Sequence, residues 1–189
     1  MKTIGKTVLA TLAIVLFFCF RANAQDAKGW SILPYLTTGE GGEKSEIVFR
    51  SGVGISGKYN FHKYWSVLAG VEYEHRYGKG ENFTQREGLK NIFRFPVRAE
   101  FSYRLIYVNL GPYFERATNT RFSDNETVEF GVGGMTEIGA RARVSKKDYV
   151  RLGVQSQYCL YKGTLDGQSY FSGNGYWAVL AVMVYEHHF

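Results

Sequence analysis

The sequence predicts an all-β protein, an eight-stranded antiparallel up-and-down transmembrane β-barrel. Three observations lead to this fold class. The first 24 residues look like an export signal, the remainder alternates apolar and polar residues with a period of two, and short turns alternate with longer polar loops along the chain. Short turns on one side and longer loops on the other are typical of barrels that cross an outer membrane.

The N-terminal segment carries the features of a secretory signal peptide. Lys2 and Lys6 give it a positive start, an apolar run covers residues 8–20, and small residues at 22 and 24 suit a signal peptidase. The apolar run is shorter than the roughly 20 residues that a membrane-spanning helix needs. We therefore expect cleavage after residue 24 rather than a retained anchor.

Residues 25–189 then form the mature chain, which we interpret as a single outer-membrane barrel domain. Removing residues 1–24, the signal peptide, takes away three of the 23 basic residues and none of the 17 acidic ones. The balance that remains is too mild to indicate nucleic-acid binding. Cys159 is the one cysteine left, so no disulfide can form within the chain.

The first four predicted strands are runs in which alternate positions are apolar and the positions between them are polar or small. They cover residues 30–37, 49–61, 65–77 and 93–103. The third run is the clearest, with Trp65, Val67, Ala69, Val71 and Tyr73 on one face and Ser66, Leu68, Gly70, Glu72, Glu74 and Arg76 on the other. A helix would mix these two sets on every side.

The last four predicted strands follow the same rule at residues 106–114, 128–144, 150–160 and 176–189. The final run differs because it is apolar on both faces, which predicts a dry patch on its inner face. Three prolines also fall within predicted strands, and we expect bulges or strand ends at them because proline cannot donate to a ladder. These are Pro34, Pro96 and Pro112.

The connections support the barrel. Tight connections are expected near residues 60–63, 104–105 and 145–148, whereas longer polar loops are expected at 38–46, 78–91, 118–126 and 163–175.

A soluble lipocalin-like barrel has the same strand count, so the direction of the alternation decides between the two. Many glycines fall on the polar face, and such small residues suit the cramped interior of an eight-stranded barrel. Aromatic residues gather at both ends of the apolar face, as in the two girdles of a membrane barrel. They are Tyr59, Phe61, Trp65, Tyr103, Tyr149 and Phe189 near the turns, and Tyr73, Phe93, Phe114, Phe130 and Tyr158 toward the loops. We therefore expect the apolar face to point outward.

Together these features resemble the small outer-membrane barrels of the OmpA-transmembrane and OmpX type, which include many chains described as porin-family proteins. The resemblance implies the outer membrane of a Gram-negative bacterium, contact with its lipids and lipopolysaccharide, and a monomer. It also implies that the barrel-assembly machinery recognises the last strand through Tyr185 and Phe189.

The polar face predicts a network of charges inside the barrel. Its principal members are Arg50, Glu72, Glu74, Arg94, Arg98, Glu100, Glu137, Arg141 and Arg151, with Lys58, Arg76, Glu115, Glu129 and Arg143 on the same face. Eight strands leave an interior about filled by side chains, so the network predicts a packed plug rather than a channel. A gated ion path, or a proton-linked role for Glu72 and Glu100, is the alternative.

The sequence offers no constellation for catalysis, for a metal or for a cofactor. A nucleophile needs a nearby base, yet no serine occupies an alternating neighbour of His75. His187 and His188 are adjacent, so in a strand they point to opposite sides and cannot share a metal ion.

These observations favour a non-enzymatic outer-membrane barrel with a filled lumen, whose surface loops serve envelope structure or contact an external ligand. The loops at 78–91 and 163–175 carry the polar and aromatic residues for such contacts. A small pore or porin for ions or small solutes is the first alternative. A soluble lipocalin-like carrier is the second.

Overall fold

The computed structural model describes residues 29–43, 46–78, 91–117, 121–123, 126–165, 168–171 and 176–189. They form ten strands: β1 (Gly29–Glu43), β2 (Glu46–Asn60), β3 (Trp65–Gly78), β4 (Asn91–Tyr103), β5 (Ile106–Ala117), β6 (Arg121–Ser123), β7 (Glu126–Arg143), β8 (Asp148–Leu165), β9 (Gln168–Phe171) and β10 (Tyr176–His188). No helix in these ranges is long and apolar enough to cross a membrane. The predicted signal peptide, residues 1–24, lies outside the described residues.

Eight of the strands close into an antiparallel barrel, which confirms the predicted fold class. Each strand pairs with its neighbours in the order β1, β2, β3, β4, β5, β7, β8, β10, and β10 returns to pair with β1. The two short strands, β6 and β9, pair with the loop-side ends of β7 and β8. All pairings are antiparallel, so the chain runs up and down around the barrel.

The short turns share one end of the barrel, as the sequence predicts. They lie at residues 61–64, 104–105 and 144–147, and we call this the turn side. In the tightest turn, Arg104 adopts a left-handed backbone with φ of 52°. The opposite end, the loop side, carries the longer connections.

The predicted loop at 38–46 is wrong, because β1 and β2 form a hairpin that continues to the pair between Glu43 and Glu46. The loop at 163–175 is also shorter than predicted, since β8 reaches Leu165 and β9 follows it. β7 and β8 have 18 residues each, well beyond the roughly 9–11 that cross a membrane. These two strands therefore extend past the barrel on the loop side.

Apolar side chains cover the outside of the barrel. In β4 the side chains alternate strictly between buried and exposed, with Phe93, Phe95 and Val97 outward and Arg94 and Arg98 inward. The aromatic residues expected on the outer face are exposed or half-buried there, except for Tyr149. Tyr149 is buried, because it shares the phase of Arg151 rather than that of Leu152, so its predicted place in the outer girdle is wrong.

The prolines interrupt single ladders without bulges, contrary to expectation. Pairing of β1 with β10 skips Leu33 and Pro34, while pairing of β1 with β2 continues through the pair between Pro34 and Ile55. Pro96 similarly leaves a gap between β3 and β4 with the register unchanged on both sides. Each proline thus removes a local bond while the closed barrel holds the register.

Candidate functional site

The turn-side half of the lumen contains a closed ring of four alternating charges. Lys58 Nζ lies 2.7 Å from a Glu100 oxygen and 2.8 Å from a Glu186 oxygen. Arg151 lies 2.5 Å from the other Glu100 oxygen and 3.1 Å from the other Glu186 oxygen. These four residues come from β2, β4, β8 and β10, so the ring joins strands on different sides of the barrel. We call it the turn-side ring.

An aromatic ring and a histidine extend the turn-side ring. The guanidinium of Arg151 lies 3.8 Å from the centroid of the Tyr107 ring, a close cation–π contact. His188 Nε2 lies 3.1 Å from a Glu186 oxygen, and its Nδ1 is 2.9 Å from the Ser31 hydroxyl. The contact between His188 and Ser31 joins the last strand to the first.

A second group of charges lies toward the loop side and is balanced as well. Arg94 is its centre, because its guanidinium reaches Glu72 at 3.0 Å, Glu74 at 3.1 Å and Glu115 at 3.3 Å. Arg76 contacts Glu74 at 2.7 Å. The six members are Arg50, Glu72, Glu74, Arg76, Arg94 and Glu115, which we call the loop-side cluster. Three cations therefore face three carboxylates.

A single ion pair separates the two groups. Arg98 lies 2.9 Å from Glu137, and the same carboxylate accepts hydrogen bonds from Tyr107 at 2.6 Å and Asn109 at 3.1 Å. Charge-assisted bonds of this kind are among the stronger hydrogen bonds in proteins. The three layers are each neutral, which removes the cost of an uncompensated charge in the interior.

An apolar patch lies along one side of the lumen, as the two-sided apolar last strand predicts. Val182 and Val184 of β10 pack with Leu33, Tyr35 and Leu68. The patch borders a cavity of about 10 Å³ that also touches Arg98 and Glu137. That volume leaves room for about one water molecule, so side chains fill this part of the lumen.

The nine principal members of the predicted lumen network are all buried, but they do not all join the ion pairs. Eight of the nine principal members form salt bridges, whereas Arg141 donates to the carbonyl of Arg104 and lies over the ring of Tyr149. Arg143 turns back onto the carbonyls of residues 145 and 146. The side chain of Glu129 lies outside the described part of the structure.

Sequence reasoning missed Glu186, which completes the turn-side ring. The signal was present, because Glu186 has the same phase as Val182 and Val184, and alternation alone places it inward. It was overlooked because that face of the last strand is otherwise apolar. Its partners are Lys58 on β2, Arg151 on β8 and His188 on β10. Lys58 and Arg151 are far from Glu186 in the sequence, so the sequence alone does not indicate these contacts.

The turn side also carries a small polar cluster around Asp148. Hydrogen bonds from Ser145, His187 and Tyr185 hold the pKa of Asp148 below its usual range. The distances from Asp148 to the Tyr185 hydroxyl and to His187 Nδ1 are both 2.7 Å. Tyr185 and Phe189, the predicted assembly signal, are exposed on the outer face.

The ion pairs among the described lumen residues can hold the barrel together electrostatically. Among the residues that the structure describes, no group of three or more His, Cys, Asp or Glu side chains is placed to hold a metal ion. The one described cysteine, Cys159, is buried.

Comparison with known proteins gives the fold and no family. No family model matches the chain, and no curated protein matches it. Among solved structures, Neisserial surface protein A (NspA) has 11% sequence identity and a TM-score of 0.58, over 87% of this chain and all of that one. Outer membrane protein OprG from Pseudomonas aeruginosa has 11% identity and a TM-score of 0.49, over 88% and 99%. The similarity to NspA shows that the fold is that of a transmembrane β-barrel.

Proposed function

We propose that this protein is a non-enzymatic integral β-barrel protein of a Gram-negative outer membrane. The observation that carries the proposal is the inverted distribution of side chains. Phe95 and Val97 are about half exposed on the outside, while Arg94 and Glu100 are fully buried inside. Lipid is the solvent that an apolar exterior of this extent fits, because water would penalise it.

The same distribution argues against a soluble carrier. A lipocalin-like barrel encloses an apolar cavity and turns its polar face to water. Here the interior is ionic and the described cavity between the layers has a volume of only about 10 Å³. Partitioning of the purified protein into the aqueous phase without detergent would support the soluble carrier instead.

Heat-modifiable migration tests the membrane placement most directly. We expect the unheated protein in detergent to migrate differently from the boiled protein, and the protein to fractionate with the outer membrane. The resemblance also supports recognition of Tyr185 and Phe189 by the barrel-assembly machinery. Replacing Phe189 with Ala should then reduce the folded fraction in cells more than replacing Ile106, another exposed apolar residue on the turn side, with Ala.

The lumen acts as a plug in this proposal. Three neutral layers of charge follow one another along the axis, and the turn-side ring joins strands on different sides of the barrel. A plugged lumen predicts that the protein produces no discrete conductance in planar bilayers. The barrel then serves as a rigid anchor for what lies on the loop side.

The loop side supports a role in recognition or envelope structure. β7 and β8 extend beyond the barrel, where β6 and β9 pair with their outer edges. This projecting sheet of four strands therefore rises beyond the barrel wall on the loop side. The loops at 78–91 and 163–175 would contact external ligands, lipopolysaccharide or partner surfaces. Residues 79–90 of the first loop lie outside the described residues.

Deleting the two loops tests the recognition role. We expect the shortened barrel to fold and to lose binding to cells, lipopolysaccharide or host proteins. Unchanged binding by a folded barrel that lacks both loops would contradict the proposal.

A narrow ion path is the second candidate function, and one observation favours it. The side-chain amides of Gln155 and Gln157 point into the lumen with atoms that have no hydrogen-bond partner among the described residues. Such groups suit water. This candidate predicts discrete conductance that increases after Arg98→Ala or Glu72→Ala. A silent bilayer for the native protein and both variants would exclude it.

A further inference from the structure

An apolar groove crosses the outer surface of the barrel where the first and last strands meet. Its volume is about 260 Å³, and it opens outward. The outward side chains around it are Pro34, Leu36, Val53, Val150, Met183 and Tyr185. They come from four neighbouring strands, β2, β1, β10 and β8, so the groove lies across the seam that closes the barrel.

The groove coincides with the missing ladder bonds at Pro34. The strands β1 and β10 are paired at Ile32 with His187 and again at Tyr35 with Val184, with nothing between. The nitrogen of Pro34 has no hydrogen to donate across this gap. The register is the same on both sides, so the gap is a local opening in an otherwise continuous ladder between β1 and β10.

The groove belongs to the turn-side half of the apolar surface. Along β10, the outward residues run from Trp177 on the loop side to Tyr185 on the turn side, and only Met183 and Tyr185 line the groove. In an outer membrane with its turns toward the periplasm, this half faces the phospholipid leaflet.

Two exposed lysines lie at the foot of the groove. Lys146 and Lys147 occupy the turn at 144–147, and the Lys147 carbonyl accepts a hydrogen bond of 2.8 Å from the His188 N–H. This bond fixes the turn against the end of β10. Val150, three residues further along the chain, lines the groove itself.

Lys146 and Lys147 are the exposed cations of this turn, because the other cation, Arg143, is bonded to backbone carbonyls of the turn. Arg143 donates to the carbonyls of Ser145 and Lys146, at 2.8 Å and 2.6 Å, and so shapes the turn. The nearby acid, Asp148, accepts a hydrogen bond from Tyr185 and contributes one negative charge, against the three cations Arg143, Lys146 and Lys147. The foot of the groove is therefore a basic site at the edge of an apolar one.

We infer that the groove and the turn together bind one anionic phospholipid, with an acyl chain in the groove and the phosphate against Lys146 and Lys147. The inference rests on the proposed membrane placement. A flexible acyl chain suits a groove of this volume, whereas a protein partner needs roughly 1,000 Å² of complementary surface. The pairing of an apolar groove with two cations matches the two ends of a phospholipid.

Native mass spectrometry of the full-length barrel in detergent, with dioleoylphosphatidylglycerol as the probe, tests the inference. We expect one tightly retained phospholipid on the native protein. Val53→Phe should fill the groove and weaken retention about tenfold, and the double substitution Lys146→Glu with Lys147→Glu should do the same. If Val53→Phe does not fold, Leu36→Trp fills the groove from the neighbouring strand.

Two matched controls separate this site from general contact with lipid. Val97→Phe adds the same bulk to the outer surface on the far side of the barrel, and Lys63→Glu reverses a cation in another turn. Both should leave retention within about twofold of the native value. Retention by the groove variants that equals retention by these controls would overturn the inference.

The remaining outcomes distinguish the ligand and the membrane placement. Lipopolysaccharide that competes equally for the groove, and is lost in Val53→Phe, would overturn the assignment to phospholipid. A native protein that fails to show heat-modifiable migration would overturn the membrane placement and this inference with it. If the barrel inserts properly but its retention of phospholipid does not depend on the groove, the inference is overturned and the membrane placement stands.

Discussion

Glu186 shows how one buried residue can complete an electrostatic network. It is fully buried and contacts Lys58 and Arg151 at 2.8 Å and 3.1 Å. With Glu186 replaced by Gln, the turn-side ring has two cations and a single carboxylate, Glu100. An uncompensated charge in the interior is far more costly than a missing pair.

We therefore expect Glu186→Gln to lower the free energy of unfolding by about 3–5 kcal/mol. Urea titration in lipid vesicles, followed by the change in gel mobility, measures the effect. Glu40→Gln, at an exposed position of β1, is the control and should change the value by less than about 0.5 kcal/mol. Adding Lys58→Met to Glu186→Gln should recover part of the loss, because it restores neutrality. A double variant no more stable than the single one would show that charge is not the cause.

Asp148 supplies the pH dependence that can be expected at the turn side. Its pKa is lowered by hydrogen bonds from Ser145, His187 and Tyr185. A carboxyl with a lowered folded-state pKa contributes stability above its unfolded pKa of about 3.9, and the contribution is lost as pH falls through the folded value.

Asp148→Asn should thus destabilise the barrel at pH 7 and lose its effect as the pH falls below about 4. Unfolding of the variant and the native protein across this range provides the measurement. A difference that stays constant down to pH 2 would contradict the explanation. Lys63→Gln, in a different turn, adds no group that titrates in this range and should show a difference that does not change with pH.

At the scale of the strands, tyrosines lie over glycines on the inner wall. A Cβ built on Gly153 would lie 2.5 Å from the Tyr107 hydroxyl and 3.0 Å from a backbone oxygen of Ile138. Tyr113 lies over Gly133 in the same way. The absence of a side chain at these positions lets the large rings of β5 lie against β7 and β8.

We expect Gly153→Ala to lower the free energy of unfolding by about 1–3 kcal/mol, through overpacking against Tyr107. Gly134→Ala is the matched control, because its Cβ would have nothing within 4 Å. Urea titration of both variants tests the contrast, and a cycle with Tyr107→Phe tests the cause. Because that change removes the clashing hydroxyl, Gly153→Ala should cost less in the Phe background. Equal costs in both backgrounds would contradict the contact.

The whole molecule is a barrel with its polar core inside and its apolar surface outside. Val97, half exposed near the middle of β4, should lie near the centre of the bilayer. An arginine there costs about 2–4 kcal/mol in membrane barrels, and close to 0–1 kcal/mol near the interface. The depth of a position should therefore determine the cost of a charge placed on it.

We expect Val97→Arg to lower the free energy of folding into vesicles by about 2–4 kcal/mol, and Ile106→Arg, beside the turn at 104–105, by about 1 kcal/mol or less. Reversible folding into phosphatidylcholine vesicles measures both. Equal costs for the two substitutions would contradict the membrane placement. Without a bilayer, both positions would face water, and their costs would not differ with depth.

Local residue patterns already contained much of this architecture. A period of two follows from the backbone of each strand, so alternation placed Arg94 and Phe95 on opposite faces of the wall without knowledge of any neighbour. The glycines on the polar face and the aromatic residues at both ends of the apolar face then indicated that the apolar face meets lipid. The short turns followed from breaks in the alternation and from the polar residues within them.

The tertiary structure decided which residues meet. Lys58 and Glu186 are far apart in the chain and become neighbours only through the stagger of the strands and the closure of β10 onto β1. Closure also decided that Pro34 opens a gap instead of a bulge, because neighbours on both sides hold the register. Alternation is a property of one strand, whereas height in the barrel depends on the register between all of them. The sequence by itself therefore determined the inside and the outside, and the register determined the charge network and the groove.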